Sequence, residues 1–310
     1  MNNMKTNFMK RCSGKLLRIR KTHHTVTLFL LGAISSSTFA SDILTSTPVT
    51  YAIANELMKG TEITTQYLPP KRYGIDRLPN WFATKGVKPV TKAGENATVA
   101  ITLSSIWQND PTFIYARQGN IRLIEIDASQ AITPRAQGVA ALKLDDGSIS
   151  KYAWLNPTNL IRMSSIVADD LKHVWPNHQA KIDTNLQMMM LDVRTLINSQ
   201  QDAIFDHEVD SVVLLSESLE DFASGNQLFV VDRLFDAELE WTEEQKLRLK
   251  DQFTEDETLW LVTSRKPSKT LLSIVPKERV LVVDSLDRWG SKGIKDEEPF
   301  ERWKLTSLAK

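Results

Sequence analysis

A long amphipathic segment near the middle of the chain constrains the fold more than any other feature. Between residues 177 and 200, apolar side chains recur every three or four positions, at Ile182, Leu186, Met189, Met190, Val193 and Ile197. This spacing places them on one face of an α-helix, and a helix of about 20 residues is roughly 30 Å long. Strand and helix patterns alternate on both sides of the segment. We therefore predict that this helix connects two lobes.

A second helix is predicted just before it, from Pro157 to about His173, with Pro176 as the break between the two. Asn156 fits the N-cap because its side-chain oxygen can accept from a free backbone N–H. Pro157 fits the first helical position, where no N–H is needed. Residues 151–155 are predicted to be the end of a strand that leads into this helix.

Both flanking parts of the chain contain short apolar runs that alternate with helical patterns. The predicted strands are residues 43–46, 63–67, 97–103, 122–126, 211–215, 227–231, 258–263 and 279–283. The helices predicted between and after them include 243–253, 268–274 and a final helix from about Pro299. Such alternation is typical of parallel sheets with helices on both faces. We predict an α/β fold with an N-terminal lobe (41–176), a connecting helix (177–200) and a C-terminal lobe (201–310).

The first 40 residues have the composition of an export signal. They contain seven of the 38 Lys and Arg residues and none of the 38 Asp and Glu residues. An apolar segment, 26–34, precedes small residues, and Thr38 and Ala40 predict signal-peptidase cleavage after Ala40 and a periplasmic location. The apolar segment is too short for a permanent membrane span. An uncleaved anchor is the alternative, and Met4 or Met9 could be the true start.

Removal of the signal leaves 31 Lys and Arg against 38 Asp and Glu, a net charge of about −7. This charge argues against nucleic acid or an anionic membrane surface as a partner. The single cysteine, Cys12, lies in the signal, so the mature chain has no thiol, disulfide or lipid-attachment cysteine.

The chain also lacks a phosphate-binding Gly-rich loop, a Gly-x-Ser-x-Gly turn and a His-Glu-x-x-His pair. No nucleophile–base pair can be assembled from the remaining residues, so we predict that the protein is not an enzyme.

Three histidines remain in the mature chain, and none of them is a strong ligand candidate. His173 and His178 flank Pro176 and are predicted to lie on the surface. His207 lies between Asp206 and Glu208 and could ligate a metal, but a solvated loop is the favoured interpretation.

Carboxylates at the ends of predicted strands are better candidates. Asp284 follows its strand directly and is expected to point into the crevice between the lobes, where ligands of open α/β sheets bind. Glu217, Glu220 and Asp221 follow the strand that ends at Leu215. The alternative for each is a helix N-terminal carboxylate, which the helix dipole favours. The residues by themselves thus predict an exported binding protein with two lobes.

The segment Tyr152-Ala153-Trp154-Leu155-Asn156-Pro157, followed by a helix, a break and a long helix, resembles the solute-binding proteins of zinc and manganese ABC importers (the metal-binding cluster A-I family). That family has His-x-Trp-Leu-Asp-Pro at this point. Tyr67-Leu68-Pro69-Pro70 is similar to its Leu-Pro-Pro-Gly turn, and Val282-Val283-Asp284-Ser285-Leu286 to its closing Leu-Asp-Pro-Leu-Gly. The resemblance covers nearly the whole mature chain. It implies two α/β lobes joined by one long helix, with an ABC permease in the inner membrane as partner.

The resemblance also implies a metal site, which this chain retains only in part. The family holds its metal with three histidines and one acidic residue, but Ile75, Tyr152 and Ser216 stand at the histidine positions here. An alignment shifted by one residue would place Glu217 instead of Ser216 at the third histidine position. Asp284 matches the acidic ligand of the family. Asp284, Ser216 and Glu217 would form an oxygen-rich set that favours a hard cation such as manganese or magnesium over zinc.

The leading hypothesis is therefore the exported solute-binding component of a metal-type ABC importer. It would act as a monomer and capture a ligand, which could be zinc or manganese, between its lobes. The second hypothesis is a degenerate binding protein that has lost metal binding and acts as an accessory or regulatory protein through protein contacts. The third is a binder of a small organic ligand through aromatic and cationic cleft residues. The residues predicted for that role are Tyr73, Trp81, Tyr152, Trp154, Arg72 and Arg77, with core packing as the alternative for Trp154.

Overall fold

The computed structural model describes residues 41–130, 137–305 and 308. The predicted signal peptide, residues 1–40, and its cleavage site lie outside the described residues. Within the described part of the chain, no helix is both long and apolar enough to cross a membrane.

The first lobe is built on a parallel sheet of four strands. They are β1 (Ile43–Thr45), β2 (Thr65–Tyr67), β3 (Val99–Thr102) and β4 (Ile124–Asp127), in the order β2-β1-β3-β4. The connecting helices are α1 (Pro48–Leu57), α2 (Leu78–Ala83), α3 (Val87–Gly94) and α4 (Thr112–Ala116). The central strands β1 and β3 are buried along their whole length, which agrees with strands covered on both faces.

Two long helices follow the first lobe. Helix α5 spans Pro157–Val174, and Asn156 caps it as predicted, since its side chain accepts from the backbone N–H of Thr158 at 3.0 Å. Helix α6 spans Gln179–Asp206 and has 28 residues, so it extends beyond the predicted end at Gln200. The two helices pack against each other, and α6 also packs against α1.

The second lobe repeats the architecture of the first. Strands β5 (Ser211–Leu214), β6 (Phe229–Arg233), β7 (Trp260–Thr263) and β8 (Val280–Val282) form a parallel sheet in the order β6-β5-β7-β8. Helix α7 (Glu220–Gly225) follows β5, and α8 (Glu243–Glu255) follows β6. Two parallel sheets flanked by helices, with one long helix between them along the chain, confirm the predicted fold class.

Three local predictions were wrong, and one helix was missed. Residues 151–155 contain a 3-10 turn, Ala153–Leu155, instead of a strand end. Residues 268–274 contain only a 3-10 turn, Leu271–Ser273, instead of a helix. The described residues after Pro299 contain the 3-10 turn Glu301–Trp303, and α3 was not predicted. Such short segments take their conformation from tertiary contacts, since isolated helices of this length are unstable.

One buried apolar cluster joins the lobes. It contains β1 and β3, the inward faces of α5 and α6, and one face of the second sheet. A second, smaller cluster lies between that sheet and α8. All described residues therefore belong to a single structural unit.

Residues 284–305, called the strap below, leave β8 and run back across the first lobe. Trp289 packs between Tyr51 and Tyr67, with ring centroids 4.8 and 4.7 Å apart. Trp154, at the mid-chain turn, donates from its ring N–H to the Ser285 carbonyl at 3.1 Å. Its own backbone carbonyl accepts from the ring N–H of Trp303 at 2.9 Å. The strap therefore fixes the second lobe to the first.

Candidate functional site

A cavity with a volume of about 1390 Å³ lies between the two lobes. The first lobe contributes Gly74, Asp76 and Arg77 together with Asp146, Ser148, Ile149, Lys151 and Tyr152. The second lobe contributes residues 216–218 with Phe235 and Arg265, and the strap forms much of the remaining wall. The second-lobe residues follow the carboxyl ends of β5, β6 and β7, which is where open parallel sheets bind ligands. The predicted crevice is thus present, and the strap is an additional wall that the sequence did not indicate.

Four of the five positions implied by the resemblance meet at this cavity. Tyr152, Ser216, Glu217 and Asp284 all line it, although they are far apart in sequence. Ile75 does not line it, because its side chain is 1% exposed and belongs to the apolar core.

Tyr152 is half-buried in the wall of the cavity. Burial raises the pKa of its phenol above the ordinary value, and the nearby carboxylate of Asp76 raises it further. The phenol therefore stays protonated, which makes it unsuited to ligate a metal as a phenolate. Its ring lies 5.3 Å from that of Trp154, so it presents a neutral polar edge to the cavity.

Glu217 and Ser216 lie at the turn after β5. The Ser216 hydroxyl is 2.8 Å from that of Ser218, so the two share a hydrogen bond. Partial burial raises the pKa of Glu217, and Asp146 across the cavity raises it further. Glu217 has no ion pair within the described residues, so its carboxylate is available to a ligand.

Asp284 differs from Glu217 because the protein already neutralises it. Arg302 donates from Nε to Oδ2 and from Nη2 to Oδ1, both at 2.9 Å, and the Leu286 N–H donates to Oδ1 at 3.0 Å. Burial by itself raises the pKa of Asp284, but the hydrogen bonds and charge of Arg302 hold it below its ordinary value. Leu286 adopts φ of +50°, an uncommon conformation that the turn at Asp284 stabilises.

These donors do not fit zinc. Within the described residues, no group of three or more His, Cys, Asp or Glu side chains is placed to hold a metal ion. Zinc prefers imidazole and thiolate donors, whereas this cavity offers hydroxyls, carboxylates and a protonated phenol. Both oxygens of Asp284 are also bound by a guanidinium.

The three histidines after residue 40 do not line the cavity. His173 contacts the Asp169 carbonyl through Nδ1 at 2.7 Å, and His178 lies 3.2 Å from Glu62. His207 follows the C-terminus of α6, where its Nδ1 is 3.0 Å from the Ala203 carbonyl. His173 and His207 thus make local helix contacts, whereas His178 contacts a residue that is distant in sequence.

The other strand-end carboxylates are buried beside the cavity and do not line it. Glu220 forms a two-point ion pair with Arg233, at 2.5 and 3.2 Å. Asp221 is 2% exposed, and its Oδ2 atom has no hydrogen-bond partner. Burial raises the pKa of Asp221 to about 6, and the charge of Glu220 adds to this effect.

The predicted aromatic and cationic set is divided by the structure. Trp154 is fully buried and belongs to the core. Tyr73 and Trp81 line an adjoining, smaller cavity of about 360 Å³, and Arg77 lines both cavities. Of the predicted aromatic residues, only Tyr152 lines the main cavity.

Sequence reasoning missed the charged residues of the strap. Arg288, Lys292 and Arg302 all line the cavity, and the basic residues after the last predicted strand are the signal that could have indicated them. Arg288 is paired with Asp287 at 2.7 Å. The strap thus lines the cavity with cations, most of which have carboxylate partners.

Most charged groups of the cavity are paired with one another, but a few are not. Arg77 and Arg265 make no ion pair within the described residues, and neither do Asp146 and Glu217. The cavity therefore offers free charges of both signs to a ligand.

Comparison with solved structures shows that several proteins of known structure share this fold. AdcAII from Streptococcus pneumoniae is 16% identical with a TM-score of 0.62, and the match covers 87% of this chain and 96% of that chain. The metal-dependent lipoprotein YcdH from Bacillus subtilis is 15% identical with a TM-score of 0.61, and the match covers 83% and 90%. ZnuA is 17% identical with a TM-score of 0.59, and the match covers 80% and 92%.

The predicted resemblance is thus confirmed at the level of the fold, which is all that identities this low establish. No protein-family model matches the chain, and no curated protein matches it in sequence.

Proposed function

We propose that this chain is the exported solute-binding component of an ABC importer. It would hold its solute in the cavity between the lobes and deliver it to a permease in the inner membrane. The shared fold supports this role, since the similar structures include the Zn(II)-bound AdcA of Streptococcus pneumoniae and the metal-dependent lipoprotein YcdH. The proposal includes cleavage of residues 1–40, a periplasmic location, monomeric action and no enzymatic activity.

We further propose that the solute is a polar organic molecule instead of zinc or manganese. The observation that carries this proposal is the cavity itself. Its volume of about 1390 Å³ is above the usual range for small-molecule pockets, about 300–1,000 Å³. Its free charges of both signs suit a molecule with several polar groups, and the protonated Tyr152 adds a neutral hydrogen-bonding group.

The solute can be tested on protein purified from its own periplasm. One portion is digested for elemental analysis, and a second is denatured so that released small molecules can be identified by mass spectrometry. We expect little zinc or manganese and about one polar organic molecule per chain. One zinc or manganese ion per chain would overturn the organic proposal. Protein that contains neither a metal ion nor an organic molecule would instead favour the accessory role through protein contacts.

The recovered compound then permits a matched binding test. Glu217→Gln removes a free charge of the cavity, whereas Glu244→Gln removes an exposed charge in the first turn of α8. We expect calorimetry to show weaker binding for the first variant and unchanged binding for the second. Equal affinities of the wild-type protein and both variants would indicate that the solute does not bind beside Glu217. Loss of uptake of the same compound in a strain without this chain would test delivery to a permease.

A further inference from the structure

The guanidinium of Arg302 lies among four oxygen atoms. Two are the carboxylate oxygens of Asp284, at 2.9 Å from Nε and Nη2. The other two are the backbone carbonyl oxygens of Arg288 and Trp289, which accept from Nη1 at 3.0 and 3.2 Å. We call these four atoms the oxygen cage. A single cation thus satisfies one carboxylate and two successive carbonyls.

The oxygen cage is enclosed and belongs to the wall of the cavity. The Arg302 side chain is 8% exposed and that of Asp284 is 25% exposed. The next cation, Lys292, is 3.9 Å from Asp284 Oδ2 and is 70% exposed. Arg302 is therefore the cation that the cage holds, and Lys292 is a peripheral one.

The atoms of the cage are those that hard metal ions use. A carboxylate that binds through both oxygens, together with backbone carbonyls, is a common ligand combination for Ca²⁺, and Mn²⁺ also favours oxygen donors. Zinc is less suited to such a set, because it prefers nitrogen and sulfur. An ordinary Arg–carboxylate pair does not need the two carbonyls.

We propose that the oxygen cage is a cation site that the chain fills with its own Arg302. The guanidinium neutralises Asp284 and holds the Arg288 and Trp289 carbonyls, so no free metal ion binds at this position. Removal of the Arg302 side chain opens the cage to Ca²⁺, Mn²⁺ or free guanidinium. This inference concerns the wall of the cavity and does not depend on the identity of the solute.

The chain offers a matched control in Arg233. Its guanidinium makes the same two-point contact with a buried carboxylate, that of Glu220, but among the described residues it donates to no backbone carbonyl. The Arg233→Ala variant should therefore lose stability without gaining a cation site.

The test compares the thermal unfolding of Arg302→Ala, Arg233→Ala and the double variant Arg302→Ala/Asp284→Asn. Each is measured with CaCl₂, MnCl₂ or millimolar guanidinium chloride, far below its denaturing concentration, and with NaCl of equal ionic strength. We expect Arg302→Ala to have a lowered Tm that rises with the concentration of these cations, as ligand linkage requires, but not with NaCl. The other two variants and the wild-type protein should show no such rise.

Two results would overturn the proposal. One is a folded Arg302→Ala protein whose Tm responds to none of the three cations, because Arg302 would then be a purely structural partner of Asp284. The other is a wild-type protein that binds Ca²⁺ or Mn²⁺ in a manner that Asp284→Asn abolishes. If Arg302→Ala is recovered only unfolded, the same comparison is made on refolding yield. Recovery that is equal with and without the cations would then contradict the proposal.

Discussion

Asp221 should make the stability of this protein depend on pH in a way that one substitution removes. Its side chain lies in the first turn of α7, 2% exposed, and Oδ2 has no hydrogen-bond partner. Burial raises its pKa from 3.8 to about 6, and the hydrogen bond from Ser150 offsets only part of this effect. The folded protein therefore binds a proton at this site more tightly than the unfolded chain does.

The size and sign of the effect follow from that difference. A rise of the Asp221 pKa from 3.8 to about 6 corresponds to roughly 3 kcal/mol of folding free energy. Because the folded-state pKa is raised, this stabilisation is fully present below the unfolded pKa and is lost as the pH rises through about 6. Asp221→Asn has no proton to lose. Its stability relative to the wild type should therefore increase by up to about 3 kcal/mol between roughly pH 4 and pH 7.

Urea unfolding at a series of pH values measures this difference. Asp251→Asn, at an exposed position on α8, is the control that should show no such trend.

Asp110 offers a contrast, since burial also raises its pKa to about 6. Its carboxylate accepts from the Leu103 N–H and from both the N–H and hydroxyl of Thr112. Asp110→Asn should therefore destabilise the protein at every pH. A difference between Asp221→Asn and the wild type that stays constant with pH would refute the reasoning.

Three further substitutions test contacts that hold the fold together, each by urea unfolding. Gln200→Ala removes a buried side chain of α6 that donates to the Trp303 carbonyl at 2.6 Å, and we expect a loss of about 1–3 kcal/mol. Gly225→Ala would place a Cβ 2.8 Å from Asn156 Cγ and 2.9 Å from its Cα, so overpacking should cost about 1–3 kcal/mol; an unchanged midpoint would contradict this close approach. Thr242→Ala removes the N-cap and capping box of α8, and we expect a loss of about 1 kcal/mol, with Thr242→Ser retaining most of the stability.

Local signals in the sequence determined the class of the fold. The alternation of apolar runs with helical patterns predicted two parallel sheets, and the apolar stripe at 177–200 predicted the long helix, because side-chain periodicity reports directly on which face is buried. Caps were equally local. Asn156 and Thr242 both accept from backbone N–H groups two or three residues ahead, so neighbouring residues are enough to predict them.

The content of the cavity was determined only by the tertiary structure. The sequence placed Asp284 at a strand end, but its partner Arg302 is 18 residues further on and reaches it only because the strap turns back. The strap is anchored by contacts as distant as that from Trp154 to Ser285, 131 residues apart. Ile75 and Tyr152 were both predicted to stand where the similar family has histidines, yet Ile75 lies in the core and Tyr152 lines the cavity. Periodicity describes a face of one element, whereas a site depends on which distant elements meet, and long-range packing decides that.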